Sequence, residues 1–207
     1  MIDKLISNSR TDPTIVDEVR DACSDIKSEI GISTDKVLAA LASASLSGNY
    51  TVNPEMCPWI DSTLSHKRCN LFIVGGVSFD SNRNCFTIPK EKALRHRSSE
   101  RYDVYSNEIR KFPALFITPN GAYKNCKNNE QKFYYGLVTD VAEQGRRDIA
   151  ISFIKLYNRP MPQQSLNDIA ERIGLSCPGV DLLNHTNWLI MKIDIRKALK
   201  EHGIEYA

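Results

Sequence analysis

Residues 165–184 read SLNDIAERIGLSCPGVDLLN, and the reading of this stretch decides the expected fold of the C-terminal part of the chain. Two helices that cross through a tight turn need a small residue at the crossing and a residue that tolerates positive φ in the turn. They also need apolar side chains to pin one helix to the other. Ala170 is the small residue, and Gly174 stands four positions later. Ile169, Ile173, Leu175, Val180 and Leu183 occupy the apolar positions. Ser176 follows as the expected N-cap of a second helix, with Pro178 in its first turn, where proline is tolerated.

This pattern resembles the helix-turn-helix of bacterial regulators, sigma-type proteins and recombinases, over residues 165–184 alone. The resemblance implies a regulator-like protein that binds double-stranded DNA, as a homodimer that pairs its half-sites. The positions that would face DNA are Ser176, Cys177, Pro178, Asp181, Leu182 and His185. Ser176, Asn184, His185 and Asn187 are the usable side chains there, whereas Asp181 would meet a polyanion with like charge. The competing reading is a helical hairpin that serves the core or a protein interface.

Charge is segregated along the chain. Residues 1–60 carry five Lys and Arg against nine Asp and Glu, residues 61–160 carry 17 against 10, and residues 161–207 carry five against six. The small net charge of +2 therefore hides a basic middle, where polyanion binding would centre. Within it, residues 90–111 read KEKALRHRSSERYDVYSNEIRK. Lys90, Lys92, Arg95, Arg97 and Arg101 would grip phosphates with Tyr102 and Tyr105 beside them, and Arg146 and Arg147 would add contacts. The bland alternative is a solvated face laced with Glu91, Glu100, Asp103 and Glu108.

Before the basic middle, residues 13–30 and 34–46 show apolar residues at helical spacing. The period then shortens. NLFIVGGV (70–77), NCFTIP (84–89), FPALFITP (112–119) and KFYYGLVTDV (132–141) predict strands. Residues 143–157 are expected to be helical, as is a last helix within residues 186–203. Gly75-Gly76 inside a strand pattern predicts a bulge, and Trp59 and Trp188 sit in apolar contexts that suit a core. The order predicts an α+β fold with N-terminal helices, a small mainly antiparallel sheet and a C-terminal helix-turn-helix unit. The expected boundaries are 1–160 for the α+β domain and 161–207 for the helical piece.

A restriction-type endonuclease needs carboxylates and a lysine around Mg²⁺. The E-x-K of Glu130 and Lys132 beside a strand, with Asp103 or Asp140 as the further carboxylate, is the candidate set. Zinc would need Cys57, His66, Cys69 and Cys85, which show only one H-x-x-C pair where structural sites usually show two tight ones. Buried thiols are the simpler account of these residues, and no resident cofactor is expected, apart from Mg²⁺ in the nuclease reading. There is no membrane-length apolar run, no signal-type N-terminus and no C-x-x-C among the six cysteines, which predicts reduced thiols and a cytoplasmic protein, and the helix-turn-helix resemblance implies a prokaryote or phage as its source. Three functions follow: a double-stranded DNA binder, a Mg²⁺-dependent endonuclease, and a protein-interaction module without nucleic acid.

Overall fold

The computed structural model describes residues 39, 41, 52, 54–80, 84–94, 103–120, 131–157, 159–177 and 180–206. The expected N-terminal helices, 13–30 and 34–46, lie outside these residues except for Ala39 and Leu41, which are helical. Nine strands are described: β1 (Cys69–Ile73), β2 (Cys85–Pro89), β3 (Pro113–Ile117), β4 (Lys132–Gln144), β5 (Asp148–Lys155), β6 (Met161–Pro162), β7 (Ser176–Cys177), β8 (Val180–Asp181) and β9 (Asn187–Met191). Four short helices accompany them: α1 (Cys57–Thr63), α2 (Asn107–Arg110), α3 (Gln163–Ile169) and α4 (Ile195–Glu201). Among the described residues no helix is long and apolar enough to cross a membrane.

Seven strands form one mixed sheet in the order β2-β5-β4-β3-β1-β9, with β6 paired to β4. β1 and β3 run parallel, and the other pairs are antiparallel. β1 and β3 are buried at all five positions each. That explains the nearly continuous apolar text NLFIV and PALFI, since a strand covered on both faces has no polar side to alternate with. Along β1, Cys69, Leu71 and Ile73 enter one apolar cluster with residues of α1, α3 and α4, while Phe72 enters another on the opposite face.

The second cluster lies inside a curl of the sheet. Flat strands roughly 4.8 Å apart would leave β1 and β2, four positions apart in the sheet order, roughly 19 Å from each other. Instead the rings of Phe72 and Phe86, one on each of these strands, have centroids 5.4 Å apart. The curl is nearly closed. Ala93, just beyond β2, makes a parallel bridge to Trp188 of β9, and the Leu94 N–H donates to the Trp188 carbonyl at 2.9 Å. Inside, Trp188 stacks on Phe72 at 4.9 Å, and its Nε1–H donates to Asn70 Oδ1 at 3.1 Å. The Asn70 amide in turn donates to the Ile109 carbonyl at 2.7 Å, so this buried polar pair is satisfied. Two devices on β4 permit such curvature. The register with β5 shifts between Val138 and Asp140, and Gly136 brings the two backbones close together.

The expected α+β arrangement with a C-terminal helix-turn-helix unit is overturned. The fold is mixed α/β, with strands dominant and sheet members drawn also from residues beyond 160. The first helix of the expected motif exists as α3. After it, the Leu175 N–H reaches back to the Ala170 carbonyl at 2.7 Å and the Gly174 N–H to Glu171 at 3.2 Å, with Gly174 at φ +77°. These are the two bonds of a Schellman stop, with glycine at its left-handed position. Among the described residues no second α-helix begins before α4. β7 and β8 pair as a small hairpin, Ser176↔Asp181 and Cys177↔Val180. A 3-10 turn, Leu182–Asn184, comes next, with the Asp181 carboxylate accepting the Leu183 N–H at 3.0 Å. The small residue, the glycine and the apolar positions suit a helix stop as well as a helix crossing. The hairpin returns Leu183 to the cluster that holds Leu175, so burial is achieved without a second helix.

One further expectation is corrected. Residues 143–157 are not helical: β4 runs on to Gln144, and β5 returns from Asp148, with Ile149, Ile151 and Phe153 alternating inward. The last helix expected within residues 186–203 is α4, which follows β9 there, and its N-cap Asp194 accepts the Lys197 N–H at 3.0 Å.

Gly174→Ala should lower stability by about 1–2 kcal/mol, the cost of holding a Cβ in the left-handed region. Nothing lies within 4 Å of the added carbon, so the cost is purely conformational. Urea melts measure it, and an unmoved midpoint would show that the helix ends equally well without the left-handed residue.

Candidate functional site

The sequence-derived site residues do not converge on one place. Ser176 is half-buried in β7. Asn184 is half-buried at the end of the 3-10 turn, with Oδ1 buried and unpartnered. His185 is exposed, and its carbonyl accepts from the Asn187 amide at 3.1 Å. Asn187 is itself buried at the start of β9, which removes it from any reading face. Arg95, Arg97, Arg101 and Glu130 lie outside the described residues.

The nuclease set is dispersed as well. Lys132 and Asp140 stand at opposite parts of β4, eight residues or roughly 27 Å apart. Lys132 lies 3.8 Å from Asp80, whereas Asp140 binds Arg110 at 2.9 Å. Asp103 accepts the Tyr105 N–H at 3.0 Å. Of the zinc set, Cys57 and Cys69 are buried and Cys85 is exposed, while His66 Nε2 meets the Asp61 carbonyl at 2.9 Å. Among the described residues no three His, Cys, Asp or Glu side chains gather as a metal site would need.

What the structure does bring together is Lys90, Arg146 and Arg147. The register of β2 with β5 places Pro89 opposite Asp148, and the Lys90 N–H donates to the Arg147 carbonyl at 2.8 Å. The 3-10 turn Lys90–Lys92 is thereby tied to the tip of the β4–β5 hairpin. Between them lies a groove of about 590 Å³ lined by Pro89, Lys90, Glu91, Arg146, Arg147 and Asp148. Lys92 is exposed on the same turn. Arg146 and Arg147 are exposed at the hairpin tip, and the ion pairs of the described residues leave both guanidiniums unpaired.

One wall of this region is a fixed polar network. Glu143 Oε1 accepts from Lys90 Nζ at 2.7 Å and from the Tyr105 hydroxyl at 3.1 Å. These two hydrogen bonds hold the Glu143 carboxyl below the usual carboxylate range, the Lys90 bond contributing most. The same bond raises the Lys90 ammonium, so it stays charged. Alongside, Thr87 Oγ1 donates to Gln144 Oε1 at 2.7 Å. Glu143 has no role in the sequence reading, which placed it at a helix start. The period-two alternation of Ile149, Ile151 and Phe153 was the available signal for a strand, and with it for a hairpin whose tip is Gly145-Arg146-Arg147.

Two other polar clusters lie apart from the groove. On one face of the sheet, buried Asp61 accepts from the Tyr135 hydroxyl and from Arg196 at 3.1 Å. Tyr206 packs on Tyr135 and Tyr157, with centroids at 4.7 and 5.9 Å. Burial pushes the Tyr157 and Tyr206 phenols up to about 12, with the Asp61 charge next in effect. On the other face, the Tyr134 hydroxyl donates to Asp80, and the Lys155 ammonium sits 4.8 Å over the Tyr134 ring. Lys155 Nζ also donates to the Phe79 carbonyl at 2.8 Å, and burial lowers its pKa. Both clusters use their polar atoms to tie elements together. Compared with protein families, curated proteins and solved structures, the chain matches none.

Proposed function

We propose that this chain binds nucleic acid, duplex DNA in the first instance, through phosphate contacts at the groove between Lys90 and the Arg146-Arg147 hairpin tip. The observation that carries the reading is the pair of adjacent, exposed arginines without carboxylate partners, held over a groove by a backbone bond to Lys90. Guanidinium groups suit phosphate because their fork of N–H donors matches two phosphate oxygens. The excess of basic residues between 61 and 160 supports the same reading. A recognition helix has no part in it, so binding is indifferent to sequence, set by phosphate neutralisation and counterion release. A cytoplasmic setting belongs to this reading.

The charge reversal Arg146→Glu with Arg147→Glu tests it. Each phosphate contact contributes about 0.9 to the slope of log K against log[salt], so losing two should flatten the slope by about 1.8 and weaken all duplexes alike. Fluorescence polarisation over a salt series measures both quantities. Failure of the unmodified chain to bind duplex or single strand at low salt would remove the proposal.

A further inference from the structure

Tyr105 is the only exposed large hydrophobic side chain among the described residues, with 38% of its surface accessible. It is also fixed in place. Its N–H is held by Asp103, and the next residue, Ser106, caps α2 by accepting the Glu108 N–H at 3.1 Å. Its hydroxyl is bound to Glu143, on the oxygen that also takes Lys90. The ring is therefore pinned at both ends beside a lysine that lines the phosphate groove. Burial of phenol surface and the bond to Glu143 both raise the Tyr105 pKa, so the ring stays neutral at physiological pH.

The geometry points to an unpaired nucleobase stacking on Tyr105 while Arg146 and Arg147 hold the neighbouring phosphates. Proteins that take single strands join a basic groove to aromatic platforms, because every base has a face to stack whatever its hydrogen-bonding edge. A duplex keeps its bases stacked on each other and offers none to a ring at the groove wall. Glu143 does not repel the strand, because its charge is met by Lys90 on one side and the Tyr105 hydroxyl on the other. The inference rests on the phosphate-binding reading of the same groove and narrows its ligand to single-stranded or locally unpaired nucleic acid.

The test uses the full chain with labelled oligothymidine and a blunt duplex of equal length, each titrated over a salt series. The unmodified chain should bind the single strand more tightly than the duplex. Tyr105→Ala should weaken oligothymidine binding roughly five- to a hundredfold, the loss expected for one stacked base. The salt slope should stay as it was, because stacking releases no counterions. Tyr105→Phe keeps the ring and should retain most of the affinity. Equal affinities of Tyr105→Ala and the unmodified chain for oligothymidine would overturn the stacking inference, as would a loss in Tyr105→Phe as large as in Tyr105→Ala. If the Arg146→Glu, Arg147→Glu variant is still weakened in that case, the phosphate reading survives alone. Failure of the unmodified chain to bind either oligonucleotide overturns both.

Discussion

Asp61→Ala should destabilise the fold by about 1–4 kcal/mol, from the buried hydroxyl it strands and the half-exposed ion pair it removes. Asp61 is 1% exposed and lies on α1. Its Oδ1 accepts from the Tyr135 hydroxyl on β4, and its Oδ2 accepts from Arg196 on α4 at 3.1 Å. The alanine variant strands a phenol that is itself 1% exposed, and an unsatisfied buried hydroxyl costs about 1–3 kcal/mol by itself. The Arg196 side chain is 48% exposed, so its share is small. Three consequences separate these contributions in urea melts. Asp61→Asn keeps an acceptor for Tyr135 and should cost less than Asp61→Ala. Tyr135→Phe removes the orphaned hydroxyl, so Asp61→Ala should cost less in that background. Arg196→Ala should cost about 1 kcal/mol or less. An Asp61→Ala chain within about 0.5 kcal/mol of the unmodified one, the range of an ordinary surface change, would show that the network carries no stability.

Gly136→Ala should cost about 3 kcal/mol or more, large for a single added methyl group. A Cβ at this position would stand 1.9 Å from the Ile154 carbonyl oxygen and 2.9 Å from its carbon. Both are backbone atoms of the neighbouring strand, and Gly136 is paired to Lys155 on β5 and to Ala114 on β3. No side-chain rotation relieves such a contact. The strands must separate, and the hydrogen bonds of the curl stretch with them. Overpacking a core costs about 1–3 kcal/mol where side chains give way, and more where backbone must move. For a chain of this size, 3 kcal/mol is roughly 6–12 °C in Tm. Thermal melts followed by circular dichroism check the value. An unshifted Tm would mean that β4 and β5 are not held at this approach.

Parts of this architecture are legible in the one-dimensional text. NLFIV and PALFI announce buried strands because apolar runs of that length, rich in branched and aromatic residues, suit a sheet covered on both faces. Gly174 announces a left-handed residue in a turn, and it stands at φ +77° in the turn that follows α3. Local text also misled. Ser176 and Pro178 suit the start of a helix by their own preferences, yet Ser176 pairs with Asp181 in a hairpin. A pairing partner outweighs propensity differences that amount to tenths of a kcal/mol per residue. The candidate groove was half legible. Lys90, Lys92, Arg146 and Arg147 stand out as basic residues. Nothing local shows that Lys90 meets Arg147, because that contact follows from the register of β2 with β5.

The sequence by itself determined what depends on near neighbours: where the apolar runs lie, where a glycine makes a left-handed turn, and which segment holds the excess of positive charge. Only the tertiary structure decided the curl of the sheet, the burial of Asn187, the separation of Lys132 from Asp140 and the meeting of Asp61 with its partners. Tyr135 and Arg196 stand 74 and 135 residues from Asp61 along the chain. Contacts over such separations are set by strand order and register, through the requirement that every buried face and polar group find a partner, and no local preference encodes that requirement.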